Sequence, residues 1–306
     1  MVLSTDACAQ SYPNKPLRMV TAEAGGGADF SARLIAQALS AQLGQQMIVD
    51  NRGGAGGIIA IETVAKASPD GYTLLLYSDA VWLIPFLRRN VSWDPLKDFA
   101  PITLADRSPS VLAVHPSVPA KSVKELIALA KARPGEINYG SGGTGSTNYL
   151  AVELFKALAG VDIVHIPYKG AGPAINALIA NQVQMMIATA ASLAPHIKSG
   201  RLTALAVASP QPSELLPGVP TVSSGLPGYE AGTVHAVYAP AATSKPIISR
   251  LQREIALFMA RPEVKERFLN AGLEVVASSP EALASAMKSD MARMGKVIRD
   301  AGIRAD

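Results

Sequence analysis

Residues 17–51 read LRMVTAEAGGGADFSARLIAQALSAQLGQQMIVDN, and the fold follows from how this stretch divides. "LRMVTA" is a short apolar run of strand length that stops at three glycines, Gly25, Gly26 and Gly27. A helical pattern follows at once, with Phe30, Leu34, Ala38 and Ala41 on one face, and Gly44 ends it before a second strand, "QMIVDN". Strand, glycine turn, helix and strand form the unit from which parallel sheets with crossover helices are built.

The same alternation continues outward along the 306 residues. "GIIAIETVAKA" predicts a helix closed by "SPDG", and "YTLLLYS" a third strand. A second set opens after "VLAVHPS". Ser122 and Glu125 have the spacing of a capping box for "VKELIALAKA", which Pro134 and Gly135 end. "INYGS", "VDIVHIPY" and "VQMMIA" then read as strands, with "TNYLAVELFKALAG" and "GPAINALIANQ" as the helices between them. Pro210 to Pro227 is rich in turn residues and reads as surface loop. "VHAVYAP" is a further strand. In the tail Ile248, Leu251, Ile255 and Phe258 share a helical face, and Ser279, Pro280 and Glu281 open a last long helix that ends near Gly302. The expectation is an α/β protein of two similar halves.

Composition narrows the partners. Lys plus Arg 28 against Asp plus Glu 24 leaves a net charge of +4, with no dense basic run to track a nucleic acid or an acidic membrane. The single cysteine, Cys8, allows neither an intrachain disulfide nor a thiolate metal cluster. No apolar run reaches the ~18 residues of a membrane span, since "TLLLYSDAVWLIPFL" is broken by Ser78, Asp79 and Pro85, so the chain is expected to be soluble. The start, "MVLSTDACAQ", holds Ala-Cys-Ala, the small-x-small form of a signal-peptidase site, without an apolar segment before it. Two readings stay open there: a trimmed export signal, or the disordered start of a cytoplasmic protein.

Both halves place a glycine cluster between a strand and a helix: "GGGAD" at Gly25 to Asp29, and "GSGGTGS" at Gly140 to Ser146. The first amides of a helix lack partners and the peptide dipoles add partial positive charge, so an anion is held there without a lysine or arginine. In a two-lobed α/β protein both clusters open at strand ends toward one cleft, and could hold the two ends of one anion.

Rival chemistries are poorly supported. Gly140, Gly142 and Gly145 match G-x-G-x-x-G, but the ribose-binding acid expected ~20 residues on is missing, where His165 stands. No G-x-x-x-x-G-K-[ST] and no G-x-S-x-G occurs. The four histidines, His115, His165, His196 and His235, show no zinc spacing, so no metal and no cofactor is expected. Ser141 and Ser146 read as donors to an anion or as helix caps, and Asp29 as an acid placed to satisfy helix amides.

"YPNKPLRMV", "GGGADFSARLIAQALSAQLGQQMIVDNRGGAGGI", "AKASPDGYTLLL", "WDPLKDFAPIT", "SVKELIALAKARPGEINYGSGGTGS", "VDIVHIPYKGAGPAINALIANQV", "PHIKSGRLTALAV" and "LPGVPTV" form an ordered series from Tyr12 to the C-terminus. Together they resemble the substrate-binding proteins of tripartite tricarboxylate transporters. The resemblance implies a type II periplasmic binding protein: two lobes, each a mainly parallel sheet flanked by helices, with the ligand cleft between them. It also implies a monomeric, non-enzymatic periplasmic receptor that closes on a carboxylate and delivers it to membrane permease subunits. The first lobe is expected to be discontinuous, 12–113 with 236–306, the second to be 114–235, and 1–11 to be residual leader.

Ligand contacts implied by the resemblance fall on Ala24, Gly25, Gly26, Gly27, Ala28 and Asp29 in one lobe. In the other they fall on Ser141, Gly143, Thr144, Gly145, Ser146 and Thr147, with Tyr168 and Lys169. Ser78 and Asp79 are further candidates. Departures from the family pattern add more: Ala22 replaces a bulky aromatic, Glu23 a proline and Ala28 a threonine. Ala188, before Thr189, replaces a common aspartate, and Val234 with His235 replaces a tryptophan-phenylalanine pair. The pocket is expected to be roomier and to favour an anionic or apolar ligand over an amino acid. A dicarboxylate or bulky monocarboxylate fits, terephthalate among them; a common C4 acid stays open, as do a sensor role and an enzyme on the same scaffold. His235 is a candidate charge partner for the acid or a plain wall residue.

Overall fold

The computed structural model describes residues 12–22, 24–25, 27–53, 57–144, 146–168, 170–300 and 302–304. The expected leader, 1–11, lies outside them. The opening unit forms as read: β1 (Leu17–Thr21), α1 (Gly27–Leu43) and β2 (Met47–Asn51), with β1 and β2 parallel from Leu17 opposite Met47 to Thr21 opposite Asn51. Ala41 is exposed, against expectation. Leu34 and Ala38 are buried as expected, and the buried side of α1 also takes in Ala32, Ile35, Leu39 and Leu43, because the helix packs between the sheet and a later helix of the tail.

Next come α2 (Ile58–Ala65), β3 (Thr73–Ser78) and α3 (Ala80–Leu87). The apolar run from Thr73 to Leu87 thus divides into a buried strand and a helix. Pro85 lies inside α3 and removes the amide that would bond the Val81 carbonyl. The indole Nε1 of Trp93 donates to that carbonyl at 2.8 Å, so the helix tolerates the proline.

β4 (Phe99–Val114) is a single strand of 16 residues, which local reading did not reveal because Pro101 and Pro109 punctuate it. Its pairing shifts register near Pro101 and Leu104, and bulges of this kind let a long strand bend. Beyond it lie α4 (Val123–Ala132), β5 (Asn138–Ser141), α5 (Thr147–Ala159), β6 (Val164–Pro167), α6 (Ala171–Ile179), β7 (Met185–Thr189), α7 (Ala190–Lys198) and β8 (Thr203–Val207). The capping box forms, with Ser122 Oγ accepting from the Glu125 amide at 3.2 Å and Glu125 accepting from the Lys121 amide at 2.8 Å. β9 (Gly232–Pro240), α8 (Lys245–Met259), α9 (Pro262–Asn270), β10 (Glu274–Val275) and α10 (Pro280–Asp300) complete the order. As expected, Ile248, Leu251, Ile255 and Phe258 are buried, and Ser279 Oγ accepts from the Ala282 amide at the start of α10.

The strands run β2-β1-β3-β9-β4-β7-β5-β6, with β8 and β10 also paired to β4. β2-β1-β3 and β7-β5-β6 are the parallel parts, one in each lobe. Antiparallel β9 and β4 join them. β4 faces β9 as far as Pro109 and β7 from Ser110 onward, so one strand serves both lobes. Separate cores lie on one side, one under α1 and α8, the other under α6 and α7; a third, with Trp82, Phe155, Tyr229 and Met287, spans both lobes on the opposite side.

Between Pro210 and Pro227 the only regular element among the described residues is a turn of 3₁₀ helix at Val222–Ser224. It is more than a surface loop, because Leu216, Val222 and Leu226 are buried. No helix among the described residues is long and apolar enough to cross a membrane.

Candidate functional site

The first glycine turn leaves β1 at Thr21, passes the buried Ala22 and the exposed Ala24 and Gly25, and enters α1. Gly25 has φ +85°, a left-handed conformation that suits glycine. Asp29 is buried and fully engaged: it accepts from the Gly25 amide at 2.9 Å, from Arg33 Nε at 3.0 Å and from Asn51 Nδ2 at 2.9 Å. Burial works against its charge, but Arg33, the Gly25 amide and Asn51 outweigh it and hold the carboxyl below its ordinary range. Asp29 therefore ties the turn to α1 and to β2. Gly26 lies outside the described residues.

The second turn is built around Ser141, which faces inward. Its hydroxyl lies 2.7 Å from His165 Nε2 and accepts from the Gly143 amide at 3.1 Å. Burial lowers the His165 pKa, so the ring is neutral near pH 7. Ser146 caps α5, 3.4 Å from the Tyr149 amide and 2.6 Å from the Gly143 carbonyl. The turn after β6 packs against this one: Tyr168 donates its amide to the Ser141 carbonyl at 2.9 Å, and a Cβ on Gly142 would lie 3.2 Å from the Ala171 nitrogen. Gly145 and Lys169 lie outside the described residues.

Beside this turn, and lined in part by it, a cavity of about 670 Å³ opens between the lobes. It brings together five of the expected residues, Ser78 and Asp79 from one lobe with Thr144, Ser146 and Thr147 from the other. Trp82, Leu83, Leu87, Leu150, Val234 and Met294 make its wall largely apolar, and Arg88, Arg107 and Arg293 add charge. Arg107 is held by Glu274 at 2.7 Å and Arg293 by Asp290 at 2.6 Å. Ala22, Ala24, Gly25, Gly27, Ala28, Asp29, Ser141, Gly143, Tyr168, Ala188, Thr189 and His235 are not among the described residues that line it. Ala188 is buried in the second lobe, and Thr189 bonds Ser192 at the start of α7.

The glycine turn of α1 packs on His235, the strand neighbour of Val234 in the cavity wall. Three neighbouring strands put Ser78 opposite His235 and His235 opposite Asp106. A Cβ on Gly27 would stand 2.8 Å from His235 Cε1, so the first turn of α1 needs a glycine to lie on this ring. His235 Nδ1 is 2.6 Å from Asp106 Oδ1, and both residues are buried. Burial works against the imidazolium, but Asp106 and Asp79 outweigh it and raise the His235 pKa. Burial and the nearby Asp290 push Asp79 up to about 7, against the pull of His235. Asp106 was not legible in the sequence; only the register of β4 against β9 reveals it. No cluster of metal-ligating side chains occurs among the described residues.

Comparison with known proteins agrees with this architecture. The R. palustris protein Rpa4515 with adipate is 34% identical, covers 96% of this chain and 99% of its own, and superposes with a TM-score of 0.76. MatC from Rhodopseudomonas palustris with bound malate is 30% identical over 94% of this chain and all of its own (100%), with a TM-score of 0.71. A TctC solute-binding protein from Polaromonas without ligand is 28% identical over 95% of this chain and 100% of its own, with a TM-score of 0.87. Residues 31–303 match the tripartite tricarboxylate transporter family receptor, TctC. The two-lobed fold and the sequence place the chain in that family of periplasmic solute-binding receptors.

Proposed function

We propose that the protein is an exported, monomeric receptor that captures a dicarboxylate between its lobes and hands it unchanged to permease subunits of a tripartite transporter. The observation that carries this reading is the juxtaposition of Ser78 and Asp79 with Thr144, Ser146 and Thr147 around one largely apolar cavity. Hydroxyls and helix amides at its ends suit carboxylates, and its apolar wall suits the carbon chain or ring between them. Adipate in a relative 34% identical supports a dicarboxylate. Malate in a relative 30% identical supports the second reading, a C4 acid.

We assign 12–113 with 236–306 to the first lobe and 114–235 to the second, with β4 and β9 as the hinge. The change of β4 partners between Pro109 and Ser110 supports this division. The overall superposition is better with the ligand-free relative, 0.87, than with the adipate-bound and malate-bound ones, 0.76 and 0.71. Rotation of one lobe lowers an overall superposition while each lobe still matches, so these values support an open form here. Closure then carries Gly25, Gly27 and Ala28 toward the turn at Gly143 and Thr144, and the ligand lies between them.

Thermal-shift titration with adipate, malate and terephthalate tests the reading, because a ligand stabilises the folded state by RT ln(1 + [L]/Kd). Stabilisation by at least one of these acids, with the acid recovered intact, is the expected result. Turnover of the bound acid favours an enzyme, and no shift with any carboxylate removes the receptor reading.

A further inference from the structure

Behind the cavity wall, one buried imidazole lies between two carboxyl groups. His235 is bonded through Nδ1 to Asp106 at 2.6 Å, and it feels the charge of Asp79, which follows its strand partner Ser78. Among the described residues His235 Nε2 takes no hydrogen bond, and Asp106 Oδ2 is buried without one. The other charges facing Asp79 are engaged elsewhere. From α10, Asp290 is held by Arg293 at 2.6 Å and by the Trp82 indole at 2.8 Å. From β4, Arg107 is paired with Glu274, and Glu230 lies near Arg293 at 3.8 Å. Tyr238 of β9, also within reach of Asp79, stays a neutral phenol because burial raises its pKa well above its ordinary value. Arg88 lines the same cavity from the far end of α3.

An ionised Asp79 on the cavity wall would face the ligand carboxylate as a like charge, which disfavours having both ionised. We propose that Asp79 takes a proton from solvent as the ligand binds and meets it as a neutral carboxylic acid, donating a hydrogen bond to the ligand carboxylate. This rests on the carboxylate-receptor reading and adds to it that capture is coupled to proton uptake.

The geometry suits the role. Asp79 occupies the N-cap position of α3, yet its side chain makes no capping bond, and it lines the cavity with Thr144 and Thr147. Burial and Asp290 already bring its pKa to about 7. A second carboxylate at hydrogen-bond distance raises it further, as two carboxyl groups sharing a site cannot both stay ionised.

Calorimetric titration of the full chain with adipate, malate and terephthalate at pH 6, 7 and 8 tests this, with the pH 7 runs repeated in buffers of different ionisation enthalpy. The acid that binds is expected to bind about tenfold more weakly at pH 8 than at pH 6, with uptake of about half a proton at pH 7. Asp79→Asn mimics the protonated acid, so at pH 8 it is expected to bind about tenfold more tightly than the parent and to lose the pH slope. A slope that survives in Asp79→Asn assigns the titration to His235 and overturns the proposal. Equal affinity at pH 6 and pH 8 with no buffer dependence overturns it too, while leaving the receptor reading intact. Absence of binding by all three acids at every pH overturns the receptor reading and this inference together.

Discussion

The His235 imidazole and the Asp106 carboxylate, 129 residues apart in the chain, meet at 2.6 Å between neighbouring strands with both groups buried. Breaking a buried ion pair from one side typically costs about 3 to 5 kcal/mol, because the partner is left in a poorly solvating interior. His235 has a raised pKa in the folded chain, so its contribution is fully present below its unfolded pKa and is lost as pH rises through the folded one. Asp106→Asn is therefore expected to lose about 3 kcal/mol at pH 6, and less once pH has risen through the folded His235 pKa. Urea unfolding across a pH series measures this; no destabilisation at pH 6 means that the pair does not hold the fold.

Asp79 carries the opposite consequence. Its pKa is raised to about 7, so its ionisation opposes folding, and stability falls as pH climbs from the unfolded carboxylate value through that range. Because its side chain reaches the cavity, part of the penalty is relieved by water. Asp79→Asn is expected to stabilise the ligand-free protein by on the order of 2 kcal/mol at pH 8 and hardly at all at pH 4. Denaturant unfolding of the two proteins at both pH values provides the check, and no gain at pH 8 removes the claim.

Gly27 is required where α1 begins. A methyl group there would lie 2.8 Å from His235 Cε1, inside contact distance, and the ring cannot retreat without giving up Asp106. Gly27→Ala is expected to destabilise the protein by about 1 to 3 kcal/mol, the usual range for overpacking, and to weaken ligand affinity by pushing the turn out of place. Thermal unfolding together with titration of the bound acid would detect both effects. Unchanged stability and affinity would mean that the turn yields freely.

Glu274 fastens the long irregular segment of the second lobe to the first. Its carboxylate accepts from the Ser213 hydroxyl at 2.5 Å, the Glu214 amide at 3.1 Å and Arg107 at 2.7 Å. Close by, Gly272 packs so tightly on Ala191 that a Cβ there would come within 2.3 Å of the alanine's. Glu274→Gln is expected to cost about 2 kcal/mol, since hydrogen bonds to a charged group are lost and Arg107 is left unpaired. Amide hydrogen exchange should rise around Ser213 to Leu216. Exchange that stays at the parent level would show that the segment is held by its buried Leu216 alone.

Much of this protein was legible locally. The βαβ unit at residues 17–51, the Ser122–Glu125 cap, the Ser279 cap of α10 and the glycines at strand-to-helix turns all follow from steric and hydrogen-bonding preferences that act over a few residues. Asp29 was read as an acid that satisfies helix amides; it accepts instead from the Gly25 amide ahead of α1 and from the Arg33 and Asn51 side chains, the last of them 22 residues away in the chain.

What tertiary structure alone decided is what spans the chain. β4 hides its continuity behind Pro101 and Pro109, since a strand with partners on both lobes is stabilised by pairing and not by its own propensity. Ser141, read locally as a donor to an anion or a helix cap, is buried, with His165 from the next strand 2.7 Å from its hydroxyl. The sequence alone determined two α/β halves with a glycine turn between strand and helix in each. The register of β3, β9 and β4 decided that Ser78, His235 and Asp106 stand side by side on three neighbouring strands, because the long-range order of a sheet comes from the packing of all its strands at once.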